Sequence, residues 1–211
     1  MAQHAREWRI SRRAWLTAGL AIPLFRARAG TAISATFDGD NLYPLAPNFH
    51  FLSGKVLERL RDSADSQTFF SQVSLFVNGN TDVVFRRATA RFVVSYSIWE
   101  EKFKVSIPAP IVTSKEGMSQ NEAEHWTLEN LAISASGLAP DQPFKMRFEL
   151  RAPQQRDLTK ILGNHGLSLS DSLIILFGQK PSASEAALTV ESAWIRLRDL
   201  PRIFGRAPRI G

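Results

Sequence analysis

Phe144-Lys145-Met146-Arg147-Phe148-Glu149-Leu150-Arg151 puts an apolar residue at every even position and a charged one at every odd position. Successive side chains of a strand point to opposite faces, so this stretch predicts a strand with one face in a core and the other in water. The same pattern recurs upstream. Phe103, Val105 and Ile107 alternate with Lys102, Lys104 and Ser106. Residues 83–99 form a longer expected strand. Val84, Ala88, Ala90, Phe92, Val94, Tyr96 and Ile98 line one face, and Arg87, Thr89, Arg91, Ser95 and Ser97 the other. Residues 68–77 predict an earlier strand, followed by the turn signature Asn78-Gly79-Asn80. Glu100-Glu101 separates the long strand from the strand at 102–108 and marks a second hairpin. Residues 187–198 predict a last strand with a register slip near Ser192. Residues 31–37 and 48–52 carry weaker strand patterns.

Helical signals are fewer. Ser53 can cap a short helix presenting Val56, Leu57 and Leu60. Ser119-Gln120-Asn121-Glu122 is a capping box, which satisfies two orphan amides and starts a helix. Ala123 and Trp126 are its expected inward residues, and Asn130 ends the stripe near Glu129. Ser170-Asp171 can cap a third helix over 171–178, apolar on nearly all sides, which must be buried or meet a partner. One-sided strands joined by hairpins mean antiparallel sheet, because all-parallel strands are buried on both faces. Irregular strand–helix order argues against a doubly wound fold. The expected fold is mainly β, a β-rich α+β class: an antiparallel, sandwich-like sheet with two or three helices in its connections.

The chain has 211 residues, 44% of them apolar and 22% charged, which supports a real core and excludes wholesale disorder. It has no Cys, so disulfides, thiolate metal sites and a Cys nucleophile are excluded. Residues 1–29 follow the order of a signal peptide: a basic start, an apolar segment at 14–25, and the small-residue site Ala27-Arg28-Ala29 before Gly30. The apolar segment has 12 residues, and a membrane-spanning helix needs about 20. At the junction of the basic start and this segment, Ser11-Arg12-Arg13-Ala14-Trp15-Leu16 resembles the twin-arginine export motif. Trp15 stands at its aromatic position, and Thr17 replaces the common Lys. The competing reading is an ordinary basic amphipathic helix. The resemblance implies transient partners, the twin-arginine machinery and a signal peptidase cutting between Ala29 and Gly30, and a periplasmic or extracellular protein.

This reading changes the charge argument. The formal net charge is +6, from 26 basic and 20 acidic residues. Six of those bases and one of those acids lie in residues 1–29, which leaves 20 against 19 and a net charge of +1. A nucleic-acid partner needs a basic patch on the folded domain, so none is expected. The domain plan is a signal peptide at 1–29, one β-rich domain at 30–200 and a basic tail at 201–211. The tail reads as solvated, with docking on lipid or an acidic partner as the alternative.

Catalytic signals are sparse. His125 has Glu122 at i−3 and Glu129 at i+4, which is either a metal-binding face or a solvated helix surface. His165, in Asn164-His165-Gly166, is either a loop base or turn chemistry. His50 completes the histidines of the expected mature domain. No nucleophile elbow or phosphate-binding glycine motif is present. Trp99 falls on the polar face at a strand end, either as edge packing or as an anchor for a partner, since Trp is over-represented at binding hot spots. Tyr96 beside it continues the apolar face.

Tyr96-Ser97-Ile98-Trp99-Glu100-Glu101-Lys102-Phe103, Asp171–Phe177 and Arg196-Leu197-Arg198-Asp199-Leu200 are similar to a family of uncharacterised exported bacterial proteins across most of 31–200. That resemblance implies a compartment and a fold, and no catalytic residues. The expected function is a non-enzymatic binding or assembly-accessory domain of the cell envelope. It has no catalytic, metal or cofactor site, and Trp99 and Tyr96 are its candidate contacts to an envelope protein or lipid surface. The alternatives are an exported hydrolase or metal-dependent enzyme using His125 or His165, and lipid binding through 171–178 and the tail.

Overall fold

A computed structural model describes residues 33–63, 66–108, 112–153, 173, 176–179 and 186–203. The protein is mainly β, with two antiparallel sheets and short helices in the connections. In chain order the elements are β1 (Ser34–Phe37), β2 (Asn41–Leu45), α1 (Gly54–Ser63), β3 (Gln67–Val77), β4 (Arg86–Ser97), β5 (Lys102–Ile107), β6 (Thr113–Met118), α2 (Gln120–Glu129), β7 (Ile133–Ser134), β8 (Phe144–Ala152) and β9 (Ala186–Glu191). A 3-10 turn at Leu197–Asp199 follows. The large sheet has six strands in the order β6-β5-β4-β3-β8-β9, and the small one has three in the order β1-β2-β7.

The alternation at 144–151 is the rule by which the large sheet is built. Phe144, Met146, Phe148 and Leu150 are buried in one core with Phe69, Val73, Leu75, Phe92, Val94, Phe103 and Val105 from the neighbouring strands. The small sheet contributes Ala35, Leu42 and Ile133 to that core, α1 contributes Val56 and Leu60, and α2 contributes Ala123 and Leu128. The sandwich is therefore one sheet against a mixed layer of small sheet, helices and loop. Its densest point is aromatic. Phe69 and Phe92 are cross-strand partners, stacked at 5.1 Å. Phe51 meets both edge-on, at 5.3 and 5.7 Å. Such pairs each add about 0.5–1.5 kcal/mol beyond their buried area.

The outward face is charged but not bare. β3 reads Phe69-Phe70 and Leu75-Phe76 without alternation because it is buried on both sides. On the outward side Phe70 packs against Leu173, Leu176 and Phe177. The Arg147 guanidinium lies 4.7 Å from the Phe76 ring centre. Arg151 is buried, and its guanidinium donates to the carbonyls of Leu176 at 2.7 Å and Gln179 at 2.6 Å. The apolar segment expected at 171–178 is thus held on the sheet where it is described, with helical residues at 173 and 176–178.

The structure shifts several sequence boundaries. The long strand runs from Arg86 to Ser97, not 83–99; Phe85 just before it still donates its amide to Leu75 O at 2.8 Å, and residues 98–101 form the turn into β5. Asn78 and Gly79 both have positive φ, as the turn signature requires, inside a longer loop. Residues 48–52 are a loop. The last strand ends at Glu191, and Ser192 and Ile195 keep only single bridges. The start of the expected tail is pinned. Phe37 donates to Pro201 O at 3.1 Å and accepts from Ile203 N–H at 2.8 Å. Residues 204–211 lie outside the described residues.

Glu191 sits between Lys145 and Arg147 on the outward face and bonds both, Arg147 at 2.6 Å. The hydrogen bond from Lys145, with that from Arg147, holds its carboxyl below the usual range against the opposing effect of burial. A depressed carboxyl pKa stabilises the fold above the unfolded value near 4.3, and the gain is lost as pH falls through the lowered one. The expected outcome is that Glu191→Gln loses stability at about pH 7 and little at about pH 3. Urea titrations of both proteins at the two pH values check this. An equal loss at both would remove the ion pairs from the account.

Candidate functional site

α2 is built as its sequence predicts at its start and differs on its inward face. Ser119 caps it reciprocally with Glu122, and the helix ends at Glu129. The buried residues are Ala123, Glu124, Thr127 and Leu128, with Trp126 half-buried against the core. Glu124 is 3% exposed. Its Oε1 accepts the Leu52 amide at 2.7 Å, and its Oε2 shares a 2.8 Å hydrogen bond with His50 Nδ1. Gln120 Nε2 donates to Leu52 O at 2.8 Å. One turn of α2 thereby clamps both backbone groups of Leu52 and orients His50.

This arrangement places the histidines. His50 is paired with Glu124. His125 faces solvent and pairs with Glu129 at 3.1 Å, the i+4 contact of a helix surface. Among the described residues no three His, Asp or Glu side chains gather within metal-binding range. His165 and the export residues Ser11, Arg12, Arg13, Trp15, Leu16, Ala27, Ala29 and Gly30 lie outside the described residues. Also among the described residues, no helix is long and apolar enough to cross a membrane.

The β4–β5 hairpin holds the candidate contacts and separates them. Ser97 pairs with Lys102, and residues 98–101 form the tip, closed by Glu101 at φ +52°. Trp99 stands at that tip 97% exposed, with Ile98 beside it at 49%. Tyr96 lies one step inside. Its ring packs 4.9 Å from Phe103 and under the Arg61 guanidinium, so it braces the hairpin from the core side. Ile98 reads in sequence as the last residue of the apolar face. The strand ends one residue earlier, and the turn rotates Ile98 out beside Trp99. Glu100 and Glu101 are exposed around them.

A shallow cleft of about 400 Å³ lies elsewhere, lined among others by Phe37, Asp40, Leu138, Leu197, Arg198 and Arg202. Arg198, in its lining, is tied to Asp141. The neighbouring Asp38 is tied down too. Burial alone would raise its pKa, but bonds from Tyr43 Oη and the amides of Asn41 and Asp40 outweigh that and lower it. The lining comes from three distant segments, so only the turn signature Asp38-Gly39-Asp40-Asn41 was available to sequence reasoning.

No family model, curated protein or solved structure matches this chain. The site must therefore be read from its own chemistry. Two features stand out on that basis: a buried carboxylate used for structure, and a large aromatic left in water.

The Glu124 clamp predicts unequal losses. Glu124→Ala strands a buried amide and is expected to cost about 2–4 kcal/mol. His50→Ala removes a half-exposed partner and is expected to cost under about 1 kcal/mol. Urea unfolding of both variants measures this, and equal losses would shift the weight from the backbone bond to the ion pair.

Proposed function

We propose that this chain is an exported, non-enzymatic binding or assembly-accessory domain of the cell envelope, and that it docks through the Ile98–Trp99 hairpin tip. The observation that carries the docking part is the 97% exposure of Trp99 on a hairpin braced by Tyr96 and Phe103. A Trp in water forfeits a large apolar contact area, and a partner pocket that takes it recovers that area. Because two-χ aromatic side chains lose little entropy on binding, a Trp on a stiff loop anchors efficiently. Export is supported by the Ser11-Arg12-Arg13 motif and the Ala27–Gly30 site.

Glu100 and Glu101 around the tip favour a protein pocket with a basic rim over an anionic lipid surface. The lipid alternative relied on the apolar segment at 171–178 together with the basic tail at 201–211, of which residues 204–211 lie outside the described residues. Leu173, Leu176 and Phe177 are already packed against Phe70 there.

One cellular experiment tests both parts. Tagged wild-type protein is expected in the periplasmic fraction, shortened by its signal, and crosslinked to a specific envelope protein. Replacing Arg12 and Arg13 by Lys keeps the full-length chain in the cytoplasm. Trp99→Ala is exported and processed normally and melts like wild type, but recovers at least about 30-fold less partner. Export of the double-Lys variant contradicts the route, and undiminished recovery by Trp99→Ala contradicts the anchor.

A further inference from the structure

The two edges of the six-stranded sheet differ in kind. β6 reads Thr113-Ser114-Lys115-Glu116-Gly117-Met118, with Lys115 and Glu116 exposed and Gly117 at φ +73°. Its pairing with β5 slips between Phe103 and Val105. Charges and irregular register keep an edge strand from templating another chain. β9 has neither. Its sequence is Ala186-Ala187-Leu188-Thr189-Val190-Glu191, uncharged up to its last residue, and it pairs with β8 in unbroken register.

The phase of its hydrogen bonds is fixed by Ser192, whose N–H donates to Met146 O at 2.8 Å. In an antiparallel ladder, alternate residues bond to the same neighbour. Leu188 and Val190, in phase with Ser192, turn their backbone groups to β8. Ala187 and Thr189 turn theirs outward, and among the described residues nothing bonds to them. The side chains of Ala187, Leu188 and Thr189 are exposed, Leu188 at 39%. Ile33 lies beside Ser192, so the open stretch ends at Glu191.

We propose that this edge pairs with the β9 edge of a second copy of the chain, antiparallel about a two-fold axis at Thr189. The residues of the open stretch are self-complementary in that register. Thr189 meets Thr189 and exchanges both outward backbone bonds. Leu188 meets Val190 of the other copy on the core side, an apolar cross-strand pair. Glu191 meets Ala187, so no like charges oppose. The interface is isologous and closes at two copies, fusing the two large sheets into one. So short a strand contact is a weak interface, with a dissociation constant on the order of 100 µM.

The absence of Cys makes the test clean. Across a hydrogen-bonded pair the Cα atoms are about 5.5 Å apart, within reach of a disulfide. Mild oxidation of full-length Thr189→Cys is expected to give a covalent dimer, and Lys115→Cys on the opposite edge is expected to give none. In sedimentation, the unmodified chain moves with concentration from 23.6 kDa toward twice that mass. Thr189→Pro removes only an outward N–H and leaves the β8 ladder whole. It is expected to raise the dissociation constant at least about tenfold without changing the melting temperature. If Thr189→Pro melts early, Thr189→Lys serves as the same block by charge. A chain that stays monomeric and uncrosslinked overturns the proposal. So does a dimer that Thr189→Pro and Thr189→Lys leave intact, because its interface then lies elsewhere.

Discussion

The loop between β2 and α1 has to push Phe49, Phe51 and Leu52 into the core, and it cannot do so without burying backbone that no strand will pair. Water is excluded there, and an unpaired buried amide costs as much as a lost hydrogen bond. Glu124 answers that constraint. Its carboxylate takes the Leu52 amide, Gln120 gives to the Leu52 carbonyl, and the ring of Phe51 is thereby set against the Phe69–Phe92 stack. Phe49 reaches Phe148 from the same loop, edge-on at 5.3 Å. The loop thus touches β3, β4 and β8 at once, and the small sheet and α2 close around it.

The outward face of the sheet solves the same problem with the opposite charge. Buried Arg151 has no carboxylate among its described partners. It donates instead to carbonyls at the end of the 173–179 segment, where a helix leaves acceptors unpaired. Leu173 and Phe177 then cover Phe70. The central strand β3 is closed on both sides, each time by a buried charge bonded to the backbone of a non-strand segment. Among the described residues, Trp99 and Ile98 at a hairpin tip are two of the apolar side chains left exposed, and the outer backbone of β9 is left without a strand partner.

How much of this was legible depended on whether local pattern or distant contact set the structure. The alternation at 144–151 and 102–107, the split faces of the long strand and the Ser119 capping box were all readable, because each is fixed by neighbours in sequence. β2 was not foreseen, because Pro44 sits inside it and a proline lacks the ladder donor. β6 escaped because Thr-Ser-Lys-Glu-Gly has no apolar period, and β7 because it is two residues long. Glu124 misleads for a different reason. A carboxylate in a helix reads as a solvent face, and only the Leu52 amide, 72 residues away in sequence, makes it an inward residue. The position of Ile98 turned on a strand ending one residue early, which periodicity does not resolve.

Amide hydrogen exchange at Leu52 reads out the Glu124 clamp itself. If the Glu124 clamp seals the core, the Leu52 N–H exchanges only through global unfolding, with the same protection as the β3 amides beneath it. Its protection then falls with theirs as denaturant is added. Exchange of Leu52 through a local opening, orders of magnitude faster than β3 and insensitive to denaturant, would contradict it and make the loop a lid on a core that stands without it.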